Sequence, residues 1–403
     1  MAKKHLAIVC GIYYPQPSPT GLCAKRFAQL LGEEYDIEIV CIAEDGVSKT
    51  VTQTGDESVC AIHLVGTAKK RVAKKGRLIG TAVRIFDGIQ MKTKILGSLS
   101  WFRRGAYREL ERIHKTKPLD AVFTVCSPMA AHLAGVDMKK KHPALRHVGY
   151  TVDPYSSPNR IRPLFVSLAR FRRFEKNTLR ALDTVLLSEE VMQNRKDLSE
   201  NLARCEVLPY MLPVLKRTGN GEEHDTTEEI HCVYAGRFYK DIRNPKYMLD
   251  VFSRLDGQGI TLDLFSVGCE DIVRPYLEMY HNIVLHKQVA NDAMGDVYAK
   301  ADVLVGVGNA TAEFFPSKTF EYIVTGKPIV YFNHEDMNNE VLGPYPLSLQ
   351  CRDTDDIDKT AEAVALFCQE KGGTFVKEAE IAEIYRKNSH ENIRQILLGA
   401  LEA

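Results

Sequence analysis

The chain has 403 residues, 45% of them apolar, 8% aromatic and 26% charged. At roughly 100–200 residues per domain that length suits two domains or three, and the composition excludes a disordered, collagenous or coiled-coil chain. The 53 Lys and Arg nearly cancel the 52 Asp and Glu, yet residues 1–210 hold 34 basic against 21 acidic side chains, leaving 19 against 31 for 211–403.

A basic half is therefore joined to an acidic half. Either the N-terminal half meets an anionic partner or surface, or the two halves attract each other. The near-zero total gives no argument for a nucleic-acid partner, and none is expected. Ten cysteines form no Cys-x-x-Cys pair, and several sit in apolar runs, which predicts buried thiols in a reducing cytosol.

Lys3-Lys4 and the apolar run to Ile12 imitate a signal peptide. The run breaks at Tyr13-Tyr14-Pro15 without a small-residue cleavage site, so it reads as a first strand. No apolar stretch of about 18 residues is present, and no segment is expected to span a bilayer.

Strand-like runs at 5–12, 36–43, 60–66, 119–126, 146–152, 183–188 and 205–209 alternate with helical patterns, which predicts a parallel sheet. A Pro-Ser-Pro-Thr-Gly turn leads into a helix from Gly21 to Leu31, striped by Leu22, Phe27, Leu30 and Leu31. The basic cluster 69–77 precedes helical patterns at 79–95 and 98–115, with Trp101-Phe102-Arg103-Arg104 close by. It is either a solvated face or a contact with an anionic membrane holding a lipid-linked acceptor.

From Pro209 to Glu229 the chain turns polar and Gly-bearing. The expected division is a domain at 1–210, a linker at 211–229, a second domain at 230–375 and a C-terminal helix at 376–403 that packs back on the first. Strands are expected at 231–237, 260–267, 282–286, 302–307, 328–332 and 347–351, and helices near 245–256, 270–280, 291–300, 316–325, 335–341, 355–370 and 377–400. Asn244 can cap the first of these helices, with Met248, Val251, Phe252 and Leu255 on its apolar face. Two doubly wound α/β modules would meet across a cleft at the carboxyl ends of their strands, where open α/β sheets bind ligands.

The most informative stretch is Thr311 to Val330, which reads strand end, loop, short helix, Gly326 stop and strand. Ser317 can cap that helix, and Lys318 adds a positive charge at its phosphate-ready start. Glu321 stands four residues after Ser317, one too far for a capping box, whose place Phe320 holds. It is left to chelate the hydroxyls of a ribose, or to lie solvated on the surface.

This segment resembles the Glu-x7-Glu signature of retaining glycosyltransferases of the GT-B fold, family 4-like (glycosyl transferases group 1). The likeness continues through "IVCGIYYPQPSPTG", "VYAGRFYKDIRNPKYMLDVF" and "NDAMGDVYAKADVLVGVG". It implies that Glu321 holds the ribose and Glu313 contacts the donor sugar, although Phe314-Phe315 replaces the Gly-rich pair that relatives carry there. It implies that Arg237 and Arg243 grip the diphosphate, with Lys240 as a nearby substitute and the Ser317-Lys318-Thr319 helix start as a further phosphate contact. Guanidinium groups suit the task, because negative charge grows on a departing diphosphate. The amide of Gly21 matches the first loop of the family, although ordinary turn chemistry explains the same residues; Asp153 stands where relatives carry a polar residue facing sugar or acceptor, and His132 is either a packed or surface histidine or a substrate contact.

The implied reaction is transfer of a hexose-type sugar from a nucleotide-diphosphate sugar to a hydroxyl acceptor, a glycan or lipid-linked glycan, with retention. The cysteine pattern places the protein in the cytoplasm, and the basic half suits peripheral association with an anionic membrane. No metal or other cofactor is expected: Gly306-Val-Gly308 lacks the third glycine of a dinucleotide fingerprint, no P-loop string occurs, and no His/Cys spacing suits a metal. Two other classes stay open, a nucleotide-sugar 2-epimerase on the same scaffold and a non-catalytic nucleotide-sugar-binding protein.

Overall fold

The computed structural model describes residues 2–66, 99–157, 166–215, 229–287, 289, 293–310, 318–335, 337 and 339–403. The cluster 69–77, the pattern at 79–95, Glu313, Phe314-Phe315 and Ser317 lie outside the described residues. The chain divides into two compact units, one of Met1–Tyr210 with His390–Ala403, the other of Met211–Ser389.

The first unit is built on strands β1 (Lys4–Val9), β2 (Tyr35–Ile42), β3 (Lys49–Val51), β4 (Ala61–Val65), β5 (Ala121–Cys126), β6 (Arg146–Thr151), β7 (Thr184–Leu187) and β8 (Cys205–Val207). They lie in the order β3-β4-β2-β1-β5-β6-β7-β8, parallel except for β3. Its helices are α1 (Pro19–Leu31), α2 (Ser100–Thr116), α3 (Met129–Lys141), α4 (Leu168–Leu179) and α5 (Glu189–Asn194). Every residue of β5 is buried, as expected for a parallel strand covered on both faces. On α2, Phe102, Ala106, Leu110 and Ile113 form a stripe against Ala130, Ala134 and Met138 of α3. Arg103 forks onto Asp137 with two bonds of 2.7 Å across the same pair of helices.

The second unit contains β9 (Ile230–Arg237), β10 (Ile260–Val267), β11 (Ile283–Leu285), β12 (Val303–Val307), β13 (Ile329–Asn333) and β14 (Ser348–Arg352). All are parallel, in the order β11-β10-β9-β12-β13-β14. This is the dinucleotide-type order, and the winding reverses between β9 and β12. The helices are α6 (Lys246–Ser253), α7 (Glu270–Met279), α8 (Met294–Lys300), α9 (Lys318–Ile323), α10 (Ile357–Lys371) and α11 (Glu378–Ile384). Met248, Val251 and Phe252 of α6 share one core with Leu262 and Leu264 of β10 and Val364 and Cys368 of α10.

Two predicted helices differ. In place of a helix at 335–341 the chain makes a single 3-10 turn, Glu340–Leu342. The pattern at 377–400 is two helices: α11, a 3-10 turn at Arg386–Asn388, then α12 (His390–Glu402) after Ser389 in extended backbone (φ −66, ψ 151). The apolar period survives the break because each piece keeps its own stripe. Ile381 is buried in α11, while Ile393, Leu397 and Leu401 are buried in α12. Only α12 belongs to the first unit. There Arg394 meets Glu34, Lys4 meets Glu402 at 2.9 Å, and Arg146 donates to the Ala400 carbonyl at 3.0 Å. Among the described residues no helix is long and apolar enough to cross a membrane, and no side-chain cluster suits a metal ion.

Candidate active site in the second unit

Strand β9 sets the first wall. Cys232 to Ala235 are buried, Gly236 is half-buried, and Arg237 is exposed at the carboxyl end. Arg237 makes no side-chain hydrogen bond or ion pair among the described residues. The chain then folds back on itself, with Tyr239 and Arg243 exchanging backbone bonds of 3.1 and 2.8 Å. Beneath this turn the buried Phe238 ring stacks on Tyr234, centroids 4.5 Å apart. Burial pushes the Tyr234 phenol up, opposed by the neighbouring Arg243 charge.

Arg243 reaches across the reversal point of the sheet. Its Nε and Nη2 donate to Asn309 Oδ1 at 3.1 and 2.9 Å, two residues beyond β12. The backbone is tied at the same place, Ala310 N to the Ile242 carbonyl at 2.6 Å. Open α/β sheets bind ligands at this position. Lys240 leans away, 3.6 Å from Asp271, with both side chains largely exposed.

The second wall is α9. Its Tyr322 hydroxyl accepts from Ala235 N (3.1 Å) and donates to Ala235 O (3.3 Å), which fastens the helix to the middle of β9. Glu321 Oε2 accepts from the Tyr298 hydroxyl at 3.0 Å and from Lys318 Nζ at 3.1 Å, and Lys318 Nζ also lies 3.1 Å from the Tyr298 oxygen. Burial, then the nearby Tyr322 and Glu321, push the Tyr298 phenol far up, so it stays a proton donor. Glu321 Oε1 has no hydrogen bond among the described residues. A carboxylate with one oxygen held and the other open can accept from a vicinal diol.

Residues 229–369 match the family Glycosyl transferases group 1. The matched segment lies within the second unit. Solved structures of similar fold extend over the whole chain. Sucrose-phosphate synthase from Thermosynechococcus elongatus has a TM-score of 0.67 at 12% identity, covering 98% of each chain. A glycosyltransferase from Rickettsia africae has a TM-score of 0.66 at 10% identity, covering 100% of this chain and 98% of its own. Anabaena HepE, solved in complex with UDP and glucose, has a TM-score of 0.60 at 12% identity, covering 98% of this chain and 99% of its own. At such identities the likeness is one of fold, and that fold is GT-B. A search of curated proteins finds no match.

At the start of α9 two of the predicted phosphate contacts are already engaged within the second unit. Thr319 is 1% exposed, and its hydroxyl accepts from Asn339 Nδ2 at 3.2 Å, so the side chain serves the core. Lys318 turns its charge onto Glu321 and Tyr298.

The first-unit candidates fare differently from one another. The Gly21 amide is taken by Ser18 Oγ at 3.2 Å, the cap of α1, and a Cβ at this position would collide with the Ile12 carbonyl. Glycine is there for a close backbone approach. His132 is fully buried, its Nδ1 2.7 Å from Thr124 Oγ1 and its Nε2 3.3 Å from Thr151 Oγ1. Burial, helped by His147, lowers its pKa to about 3. It is a neutral core residue and reaches no substrate surface. Asp153 is half-buried two residues past β6. Its charge adds to the burial that raises the Cys23 thiol to about 11, against the pull of Arg26. The loop that carries it is pinned by buried Glu175, which accepts from Tyr155 N (2.5 Å), Ser156 N (3.1 Å) and the Ser156 hydroxyl, and lies 3.7 Å from buried Arg195.

Asn309 and Tyr298 are the site residues that sequence reasoning missed. Asn309 follows Gly306-Val-Gly308, a string informative for another reason: a Cβ at Gly306 would strike the Tyr331 ring of the adjacent strand. A cavity of about 490 Å³ opens on the Ile242 and Asn244 side of the turn, against Tyr247, Phe332 and Asp353. Arg243 and Asn309 do not line it. Of the four carboxylates that line it, Asp250 and Asp353 are bonded to Lys246 (2.7 Å) and His334 (2.5 Å).

Proposed function

We propose that the protein transfers a sugar from a nucleotide-diphosphate sugar to a hydroxyl acceptor. The observation that carries this reading is the pair of guanidinium side chains at the carboxyl end of β9, Arg237 exposed and Arg243 anchored beside the β9/β12 reversal. As the bond from the anomeric carbon to the diphosphate breaks, charge accumulates on phosphate oxygens, and preoriented cations stabilise that state more than the ground state. The bond to the acceptor oxygen forms as the acceptor proton passes to the departing diphosphate, so no separate protein base is needed. Glu321 Oε1 takes the ribose hydroxyls, and Glu313 contacts the sugar. Retention follows from attack on the face that the diphosphate leaves.

The charge on the diphosphate is balanced in this reading by protein groups, without a metal. The acceptor is a glycan or lipid-linked glycan, and the net positive residues 1–210 bring the protein to an anionic membrane surface. HepE, of similar fold, was solved with UDP and glucose, which supports a donor of this class. The 2-epimerase reading loses ground, because His132, one of two residues offered for its acid–base work, is buried and neutral.

The test is incubation with a panel of UDP-, GDP- and ADP-sugars, with and without EDTA, followed by assay for free nucleoside diphosphate. Release that survives EDTA and is abolished by Arg243→Ala supports the reading. No release, together with no thermal shift by UDP, GDP or ADP, overturns it, since a ligand at 100 times its dissociation constant adds about 2.7 kcal/mol of stability. An epimerised nucleotide sugar would assign the epimerase instead.

A further inference from the structure

Arginine carries five N–H donors and no acceptor. In Arg243, Nε and Nη2 donate to Asn309 Oδ1, and Nη1 donates to the Arg237 carbonyl at 3.4 Å. Three donors are thereby engaged. Two more remain, one on each terminal nitrogen, with the buried Tyr234 hydroxyl beside the guanidinium but in no completed hydrogen bond.

The partner at 309 is well fixed. Asn309 is 9% exposed, and its neighbours on both sides are tied by the backbone, Gly308 N to the Phe332 carbonyl at 2.8 Å and Ala310 N to the Ile242 carbonyl. A flexible side chain that would otherwise sweep several rotamers is held in one, so its ordering cost is met before a ligand arrives.

The chemistry of the partner matters as much as its position. Other paired arginines of this chain, such as Arg103 on Asp137 and Arg112 on Glu109, meet carboxylates. A carboxylate would orient Arg243 equally well and cancel its charge. An amide oxygen orients it and leaves the charge whole.

We propose that Asn309 is a positioning residue for the transfer: a neutral acceptor that aims Arg243 and leaves its remaining N–H groups and the full positive charge for the donor diphosphate. The proposal rests on the nucleotide-sugar reading above. It assigns no contact between Asn309 and the substrate.

The experiment is calorimetric titration of wild type, Asn309→Ala, Asn309→Asp, Arg243→Ala and the Asn309→Ala/Arg243→Ala double variant. The probes are whichever of UDP, GDP or ADP the wild type binds, and the parent nucleoside, which lacks phosphate. Asn309→Ala is expected to weaken diphosphate binding about tenfold, the scale of losing an orienting partner behind a contact group, with nucleoside binding unchanged. Asn309→Asp, nearly isosteric, should weaken it further, and the alanine effect should vanish when Arg243 is already absent.

Equal weakening of nucleoside and diphosphate overturns the proposal, as does an alanine effect that persists without Arg243, or wild-type binding by Asn309→Asp. Melting curves establish that each variant is folded, and the aspartate variant carries the test if the alanine variant is not. Wild-type protein that binds none of the three diphosphates removes the nucleotide-sugar reading and this proposal with it. Wild-type binding with no Asn309 dependence removes only the proposal.

Discussion

Glu38 on β2 sits between two buried imidazoles, 2.9 Å from His5 Nε2 and 2.5 Å from His63 Nε2. His63 Nδ1 also faces Glu109 of α2 at 3.0 Å and Arg112 at 3.0 Å, while His5 Nδ1 meets the Pro118 carbonyl at 3.2 Å. Burial alone would lower both histidines, but the carboxylates outweigh it and both are raised. Burial would likewise raise Glu38, yet the two histidines pull it from an ordinary 4.5 to about 2. At about 1.36 kcal/mol per pH unit that is roughly 3 kcal/mol of gross coupling. The Glu38 side chain is 20% exposed, and solvent screening reduces the net effect to about 2 kcal/mol.

Glu38→Gln should therefore destabilise the first unit by about 2 kcal/mol at its maximum, with a definite pH signature. The raised histidines stabilise fully below about pH 6.5 and lose that contribution as pH rises through their folded values. The depressed carboxylate stabilises above about pH 4.5 and loses it as pH falls towards 2. The difference between wild type and variant should peak between about pH 4.5 and 6.5 and shrink on both sides. Trp101, the single tryptophan of the chain, lies on α2 with Glu109, so urea unfolding followed by tryptophan fluorescence reads this unit directly. A difference that is flat from pH 5 to 9, or grows with pH, would refute the coupling.

Tyr298→Phe removes one of the two donors on Glu321 and should raise the donor KM by about 5- to 30-fold, the equivalent of roughly 1–2 kcal/mol, with kcat little changed; a fall in kcat at constant KM would count against a ribose contact. Gly21→Ala forces a Cβ against the Ile12 carbonyl and should cost about 1–3 kcal/mol in Trp101-monitored unfolding. Glu175→Ala leaves Arg195, 5% exposed, with Asp197 at 2.9 Å as its remaining carboxylate and should cost about 3 kcal/mol, measured by the same unfolding curve.

The strands were legible because parallel strands covered on both faces become uninterrupted apolar runs. Strand β12, Val303 to Val307, is buried throughout, and the run at 302–307 announces it. Strand β3 escaped notice because Lys49-Thr50-Val51 is an exposed three-residue edge with no apolar run. Of the two readings of His132, its surroundings favour the packed one. It lies in a helix whose residues Met129 to Val136 are all buried, and a helix apolar all round has no face to offer a substrate. Asn309 was out of reach, since its pairing with Arg243 joins segments 66 residues apart that only the strand order makes neighbours.

Residues 1–210 and α12 form one folded unit, with the whole of the other unit encoded between them. A ribosome therefore delivers β1 and β6 early and their last covering layer at the end. The interposed unit, being contiguous, can close its own sheet on emergence, while the unit begun first waits for the helix that packs on α1 and β6. Completion runs opposite to the direction of translation.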